Sequence, residues 1–369
     1  MSLKRIVIKI GTNVLQQTNG KLDYKLISEL TAQIARIRSN GHELLLVSSG
    51  SVGAGRELCS VDESGNALAS HQILASVGQA KLIQIYSDSF RKHKTTVAQI
   101  LLTRGDFGLR KSYLNIRNTL ENLLKYRIVP IVNENDVVAT EELDLNFGDN
   151  DLLAVYLATL IGADQLFFLT VAPGLLKEVE TAQGKQSKVV AKVEKLTEEI
   201  VQHCLPFTSA GGKGGMESKV RSAGMAMSFG IDTYIIDGKF PAGVFEIMEG
   251  RPLGTHFVAH GRKIRSYQKW LAAGALNKGT LIIDQGAEQA LLKNKKSLLA
   301  RGVARVEGQF EDKDLVEIHN LEGVKLGVGR ADCSAKVLRS QIKERNLTNS
   351  KVNTRSGKPV IHRNHLFLE

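Results

Sequence analysis

No run of apolar residues in the chain approaches the roughly 18 that a membrane-spanning helix needs, so the sequence predicts no membrane partner. The N-terminus, Met1-Ser2-Leu3-Lys4-Arg5, leads straight into a strand-like run and lacks the charged, apolar and small-residue regions of a signal peptide. Cysteine is scarce. Cys59, Cys204 and Cys333 are scattered, form neither a metal spacing nor a disulfide framework, and fit a reducing, cytoplasmic setting. Two nucleotide signatures are missing as well. Without Gly-x-x-x-x-Gly-Lys-Ser/Thr a P-loop nucleotidase is disfavoured, and no Gly-x-Gly-x-x-Gly follows the first strand. No serine or cysteine nucleophile has a matched histidine. His256 and His260 share the i,i+4 spacing of a metal pair, but they fall in a predicted linker without a nearby acid and read as non-ligands. Internal repeats and low-complexity tracts are also lacking.

What is present is a 369-residue chain with 43% hydrophobic and 24% charged residues, ordinary for a folded soluble protein and long enough for two domains. The formal charge is +11, and residues 275–369 hold 17 Lys and Arg against 11 Asp and Glu. That basic C-terminal part suits either nucleic acid or a plain solvated surface. Through the first part, β-branched runs alternate with stretches of helical spacing. Strands are predicted at 6–8, 44–47, 96–102, 128–132, 165–170 and 233–236. Helices are predicted at 26–37, 70–91, 113–126, 151–161 and 217–229. Repeated β-α-β order implies an α/β fold, a mostly parallel sheet with helices on both faces. The pattern changes near residue 260. Short strand-like runs follow at 280–283, 303–306, 315–318 and 324–328, with a helical piece at 287–293, as in a small, mainly β second domain. Residues from about Leu347 onward are polar and read as a loose tail.

The chemistry concentrates between Val132 and Asp151. Val132-Asn133-Glu134-Asn135-Asp136 follows an apolar strand, and Phe147-Gly148-Asp149-Asn150-Asp151 precedes a helix. A strand emptying into acids and amides places a polar site at the carboxyl edge of an open sheet. Such a site can hold an amine, order lysines or organise a metal. Phosphate handling shows at three further points. Lys9-Ile10-Gly11 closes the first strand, where a lysine reaches a phosphate and glycine lets the backbone approach. Ser48-Ser49-Gly50-Ser51 opens a helix after the second strand, with unpaired N–H groups suited to an anion or, equally, to tight packing. Gly211-Gly212-Lys213-Gly214-Gly215-Met216-Glu217-Ser218-Lys219 leads into another helix and could wrap a triphosphate. Phosphoryl transfer needs positive charge on developing oxygens and in-line positioning, which Lys9 and Lys219 with a carboxylate between them would supply.

These blocks, with Val7-Ile8-Lys9-Ile10-Gly11-Thr12, Val47-Ser48-Ser49-Gly50, Thr170 and Gly174-Leu175, resemble the amino acid kinase family, and the Asn133-Glu134-Asn135-Asp136 and Gly148-Asp149-Asn150-Asp151 pair resembles its glutamate-phosphorylating members. Gly279 to about Arg339 looks like a PUA domain, on Asp284-Gln285-Gly286-Ala287 and Asn320-Leu321-Glu322-Gly323. The resemblance implies a three-layer αβα kinase domain at 1–258, a linker at 259–275, a PUA domain at 276–354 and a tail at 355–369. It implies ATP and Mg²⁺ as cofactors, L-glutamate as substrate, proline as inhibitor, a homo-oligomer, and a separate γ-glutamyl phosphate reductase downstream. By position, Lys9 and Lys219 would stabilise the transferring phosphoryl group and Asp151 would orient both. Gly11 and Gly50 would offer N–H groups to the phosphates, and Ser49, Asp136 and Asn150 would bind glutamate. Thr170, Val171, Lys213, Gly214, Gly215, Met216, Glu217, Ser218 and Lys219 would line the nucleotide. Val171 and Leu176 depart from the family's Asp and Tyr, which bears on nucleotide affinity and base preference. An RNA-binding or RNA-modifying protein acting through the basic second domain is the alternative class. Two phosphate loops and a Gly-Asp-Asn-Asp segment argue against it.

Overall fold

The computed structural model describes residues 2–62, 66–108, 110–138, 150–181, 184–202, 215–260, 278–348 and 358–368. The chain forms two compact units, the first built from residues 1–106 and 111–263, the second essentially from 264–369.

The first unit follows the predicted alternation. In order it runs β1 (Arg5–Ile10), α1 (Thr12–Leu15), α2 (Tyr24–Ser39), β2 (Glu43–Ser48), α3 (Ser51–Arg56), α4 (Ala67–Arg91) and β3 (Val97–Leu102). Then come α5 (Arg104–Gly108), α6 (Arg110–Lys125), β4 (Val129–Glu134), α7 (Asn150–Ile161), β5 (Gln165–Thr170), β6 (Leu176–Thr181), β7 (Gly184–Val189) and β8 (Lys192–Val193). It closes with α8 (Glu198–Gln202), α9 (Met216–Ser228), β9 (Asp232–Asp237), α10 (Gly243–Met248) and β10 (Thr255–Phe257). Eight strands form one sheet in the order β3-β4-β2-β1-β5-β9-β10-β8. Pairing is parallel from β3 through β9, and β10 runs antiparallel to β9. The chain winds outward from β1 through β2, then crosses to β5 on the other side of β1. The carboxyl ends of β1, β2, β4 and β5 therefore flank a topological switch point, where such sheets bind ligands.

β1 and β2 are buried almost throughout, because helices cover both faces of the sheet. Ile6, Ile8 and Ile10 pack with Leu26, Leu30 and Ile34 of α2 and with Leu82, Tyr86 and Phe90 of α4. Side chains alternate along a strand, so Val7 and Lys9 take the opposite face, toward α7. α7 is buried along nearly its whole length from Asp151 to Ile161 and contacts β1, β5 and α9.

Two readings are corrected in this unit. His256 lies in β10, not in a linker, and its Nε2 stands 2.8 Å from Asp232 Oδ1. The antiparallel β6–β7 hairpin and the strand β10 escaped the sequence reading.

The second unit contains β11 (Gly279–Ile283), α11 (Gln285–Leu292), β12 (Val303–Gly308), β13 (Leu315–His319), β14 (Lys325–Arg330), α12 (Ala335–Thr348) and β15 (Leu366–Leu368). The sheet order is β12-β11-β13-β14-β15. Asp284 caps α11 by accepting from the Ala287 N–H at 2.7 Å, an N-cap contact of the usual kind. The C-terminal segment read as a tail is structured where described. Val360 and Ile361 are buried in this unit's core, and Leu366–Leu368 pairs antiparallel with β14.

Candidate active site

Lys9, Asp151 and Lys219 come from three different elements and meet. Asp151 is fully buried as the second residue of α7, where the positive end of the helix favours a carboxylate. Its Oδ1 lies 2.6 Å from Lys9 Nζ and its Oδ2 3.0 Å from Lys219 Nζ. Lys9 is 3% and Lys219 7% exposed. Lys219 sits in the first turn and a bit of α9, an unfavourable place for a cation, and Asp151 offsets that penalty. Two ammoniums thus converge on one buried carboxylate, an arrangement suited to receiving a phosphate.

Glycine has different roles in the two strand-end turns. Gly50 holds φ +103°, a left-handed conformation that L side chains adopt at a cost, and so lets the chain leave β2 and enter α3. Gly11 is extended, and its N–H donates to the Leu169 carbonyl at 3.2 Å. That corrects its expected role as a phosphate donor. Its contribution is space: a Cβ here would stand 3.3 Å from Leu169 O and 4.0 Å from Lys9 Nζ.

A second cluster surrounds Asn150, the first residue of α7. Its Nδ2 donates to Ser48 O at 3.2 Å, Ser49 Oγ at 3.0 Å and Asn133 Oδ1 at 2.9 Å. The Ser48 carbonyl only accepts, which fixes the amide orientation. Asn150 Oδ1 is then a buried acceptor with no partner among the described residues. Such groups are costly, so a donor from a ligand is the natural complement. Asn133 donates in turn to Gln79 Oε1 at 2.8 Å, and Ser48 shares its hydroxyl with Tyr86 at 2.9 Å. Burial pushes Tyr86 up to about 12 despite the hydrogen bond with Ser48, so the phenol stays neutral. Asn133, Gln79 and Tyr86 were not assigned roles from sequence; Asn133 was within the motif, while the other two lie in α4 with nothing local to mark them.

Asp136, just beyond β4, does not join the Asn150 cluster directly. Its carboxylate receives Ser51 Oγ at 3.3 Å and stands 3.5 Å from His71 Nε2. Ser51 follows Gly50, so Asp136 still flanks the β2–α3 turn. Thr170 ends β5 and its carbonyl accepts from the Gly238 N–H at 2.7 Å, while Val171 is 42% exposed. Gly215 caps α9, Met216 is buried beneath it, and exposed Glu217 pairs with Arg221 at 2.9 Å instead of joining the lysines. Ser218 is half-buried in the same turn. Lys213, Gly214 and the Phe147-Gly148-Asp149 stretch lie outside the described residues.

A buried Lys–Asp–Lys bridge beside an amide cluster at the carboxyl edge of a parallel sheet is an arrangement chemically suited to a transferring phosphoryl group. Residues 4–237 match the model of the amino acid kinase family and residues 279–350 that of the PUA domain. The chain belongs to the amino acid kinase family. It is 38% identical to the glutamate 5-kinase of Dehalococcoides mccartyi, over 99% of this chain and 98% of that protein. It is 39% identical to the glutamate 5-kinase of Chlorobaculum tepidum, over 99% and 97%. Within the family it therefore stands with the glutamate 5-kinases. The carbamate kinase of Giardia lamblia, solved bound to AMP-PNP, shares the fold with a TM-score of 0.50 at 18% identity, over 70% of this chain and 99% of that one. No helix among the described residues is long and apolar enough to cross a membrane.

Proposed function

We propose that the protein transfers the γ-phosphoryl group of ATP to the γ-carboxylate of L-glutamate, the committed step toward proline. The observation that carries this reading is the buried Lys9–Asp151–Lys219 bridge, which brings two lysines to one point at the carboxyl edge of the sheet. A glutamate γ-carboxylate oxygen attacks the γ-phosphorus, the bond to the β,γ-bridging oxygen breaks, and ADP leaves with that electron pair. The products are ADP and γ-glutamyl phosphate, and no proton need move. Negative charge spreads over the equatorial and bridging oxygens, and Lys9 and Lys219 meet it from two sides. Asp151 holds both ammoniums in place.

Glutamate binding falls to Ser49, Asp136 and Asn150. Asp136 takes the α-ammonium, and the unpartnered Asn150 Oδ1 accepts from the same group. Gly50 and the residues from 213 to 219, with Thr170 and Val171, line the nucleotide phosphates and base. Both Asp151 oxygens already face ammoniums, and Asp151 is the only fully buried carboxylate among the described residues. That fits a Mg²⁺ that would be held mainly by the nucleotide phosphates and would supply countercharge to them. The domain limits that go with this reading are 1–258 for the kinase and 276 onward for the PUA domain, whose sheet takes in β15. A cytoplasmic homo-oligomer, inhibition by proline and a separate reductase for the reactive acyl phosphate complete it.

The test is incubation with ATP, Mg²⁺, glutamate and hydroxylamine. γ-Glutamyl hydroxamate is expected with glutamate, not with aspartate or acetylglutamate, and added proline should suppress it. Hydroxamate formed equally well from aspartate, or none from glutamate, would overturn the assignment.

A further inference from the structure

The other edge of the parallel sheet holds a cleft of about 440 Å³, lined where β1, β2 and β4 begin and by the turn before β5. Arg5 in its wall is four residues before Lys9, so the cleft is about 13 Å of strand away from the phosphoryl-transfer group. Five cationic side chains line it against two carboxylates, Glu43 and Asp164. Arg5 is engaged by Glu43 at 2.6 Å and Glu121 at 3.0 Å, and Asp164 accepts from the Arg5 N–H at 2.8 Å. Lys4, Arg38, Lys125 and Arg127 have no carboxylate partner among the described residues.

Two features make this more than a basic surface. The first is His42, which is 6% exposed and lines the cleft. Its Nδ1 accepts from the Lys4 N–H at 3.1 Å, so the neutral ring carries its proton on Nε2. Burial, and then the charge of Lys4, hold its pKa below the usual value and keep it neutral. No hydrogen bond is made by Nε2–H to any described residue, which leaves it available to donate at the cleft wall. The second is Arg38, whose Nε and Nη2 donate to the Arg127 carbonyl at 2.9 and 2.7 Å. That contact fixes the guanidinium and leaves its charge uncompensated. Arg127 itself, at φ +58°, closes the C-terminus of α6, where its N–H donates to Leu124 O and the Ile128 N–H to Leu123 O, each at 2.9 Å, and its exposed side chain adds charge at the rim.

We propose that this cleft is a second, non-catalytic binding site for a small organic anion bearing phosphate or carboxylate groups. His42 Nε2–H donates at its floor, Arg38 presents a fixed guanidinium, and Lys4, Lys125 and Arg127 supply charge at the rim. The volume falls within the roughly 300–1,000 Å³ of small-molecule sites.

The experiment titrates the full chain by calorimetry with pyrophosphate and, separately, citrate, while a non-hydrolysable ATP analogue and glutamate saturate the catalytic site. Arg127→Gly keeps the carbonyl that anchors Arg38 and relieves the left-handed backbone. Its thermal midpoint without anion should be unchanged or higher, while affinity for the preferred probe should fall about tenfold, the loss of one charged contact. Stronger pyrophosphate binding assigns the site to phosphate esters, and stronger citrate binding assigns it to polycarboxylates. Equal affinity in Arg127→Gly and the unsubstituted protein, or no binding of either probe below about 10 mM, overturns the proposal. If Arg127→Gly melts early, Lys125→Ala, an exposed position, becomes the readout, and unchanged affinity there overturns it.

Discussion

Asp151 is where the energetic demands of folding and of the reaction coincide. A fully buried carboxylate is tolerable only because two ammoniums face it at 2.6 and 3.0 Å. Replacing it by asparagine removes the carboxylate that faces two buried cations, so Asp151→Asn should destabilise the first unit by about 3–5 kcal/mol. Thermal or urea unfolding would show this, and a stability within 1 kcal/mol of the parent (about the limit for a weak contact) would mean the lysines do not depend on it. Lys219→Met keeps much of the stem's packing and removes the charge. It should lower kcat by about 10²–10³ with a smaller change in KM for glutamate, as for a donor aimed at developing charge. Near-normal turnover would remove Lys219 from the chemistry. Asn150→Ala should act the other way round, raising glutamate KM about tenfold or more through loss of a polar contact, and unchanged KM would argue against its place in the substrate grip. Lys9, Asp151 and Lys219, and Ser49 and Asn150 as separate candidates, were legible in sequence because strand ends and helix starts carry them. Gln79 and Tyr86 were not, since each completes its hydrogen bond across a distance that only the folded chain closes. Gly11 was legible as a glycine yet misread in role, because its N–H meets a neighbouring strand's carbonyl.

Elements with long periodic patterns were the legible ones, and β1, β2, β4, β5, α2, α4 and α7 all lie where alternation and helical spacing put them. What escaped were elements whose patterns are too short or too polar to register. β10 has three residues, and the β6–β7 hairpin consists largely of charged and polar side chains that need no core face. α12 escaped for a related reason, a helix of low mean hydropathy whose pairing with β12 is tertiary. The glycine-rich run after β2 illustrates how one motif can serve two ends. Gly50 makes the turn, whereas Gly55 and Gly78 let α3 and α4 approach. A Cβ on Gly78 would stand 1.8 Å from the Ser51 carbonyl, and one on Gly55 2.0 Å from the Leu74 carbonyl. Backbone cannot yield as a side chain can, so Gly78→Ala must push α3 away from α4. The expected cost is about 1–3 kcal/mol, accompanied by a rise in glutamate KM, because Ser51 and the β2–α3 turn move with α3. A melting curve and kinetics together check this, and a variant that loses stability while keeping its KM would separate the packing from the site.

At the scale of the whole molecule, the change of pattern near residue 260 signalled a second unit, and its four predicted strands correspond to β11 through β14. The last strand was missed because Val360, Ile361 and Leu366 are few and follow a polar stretch, so their burial shows only once they pair with β14 and with Leu298. This unit holds its charge differently from the first. Glu317 on β13 receives His319 Nε2 at 2.9 Å and Lys325 Nζ at 3.1 Å. Burial pushes its carboxyl up, but the His319 hydrogen bond and the Lys325 charge outweigh burial and leave it below the usual 4.5. Asp332 likewise falls below its usual 3.8, with burial opposed by Lys313, Arg330 and His365. A carboxylate whose folded pKa is depressed contributes stability that is fully present above its unfolded value and is lost as pH falls through the folded one. Acid should therefore weaken the second unit through these two groups below about pH 4.5. Glu317→Gln isolates one of them. At pH 7 it should lower the midpoint of the transition that belongs to the second unit. As pH falls toward 3 the gap from the parent protein should close, because the parent's own Glu317 takes up the proton that the amide mimics. Calorimetric scans of the full chain at stepped pH measure that gap directly, and a gap of constant size would show that Glu317 acts through packing and not through its charge.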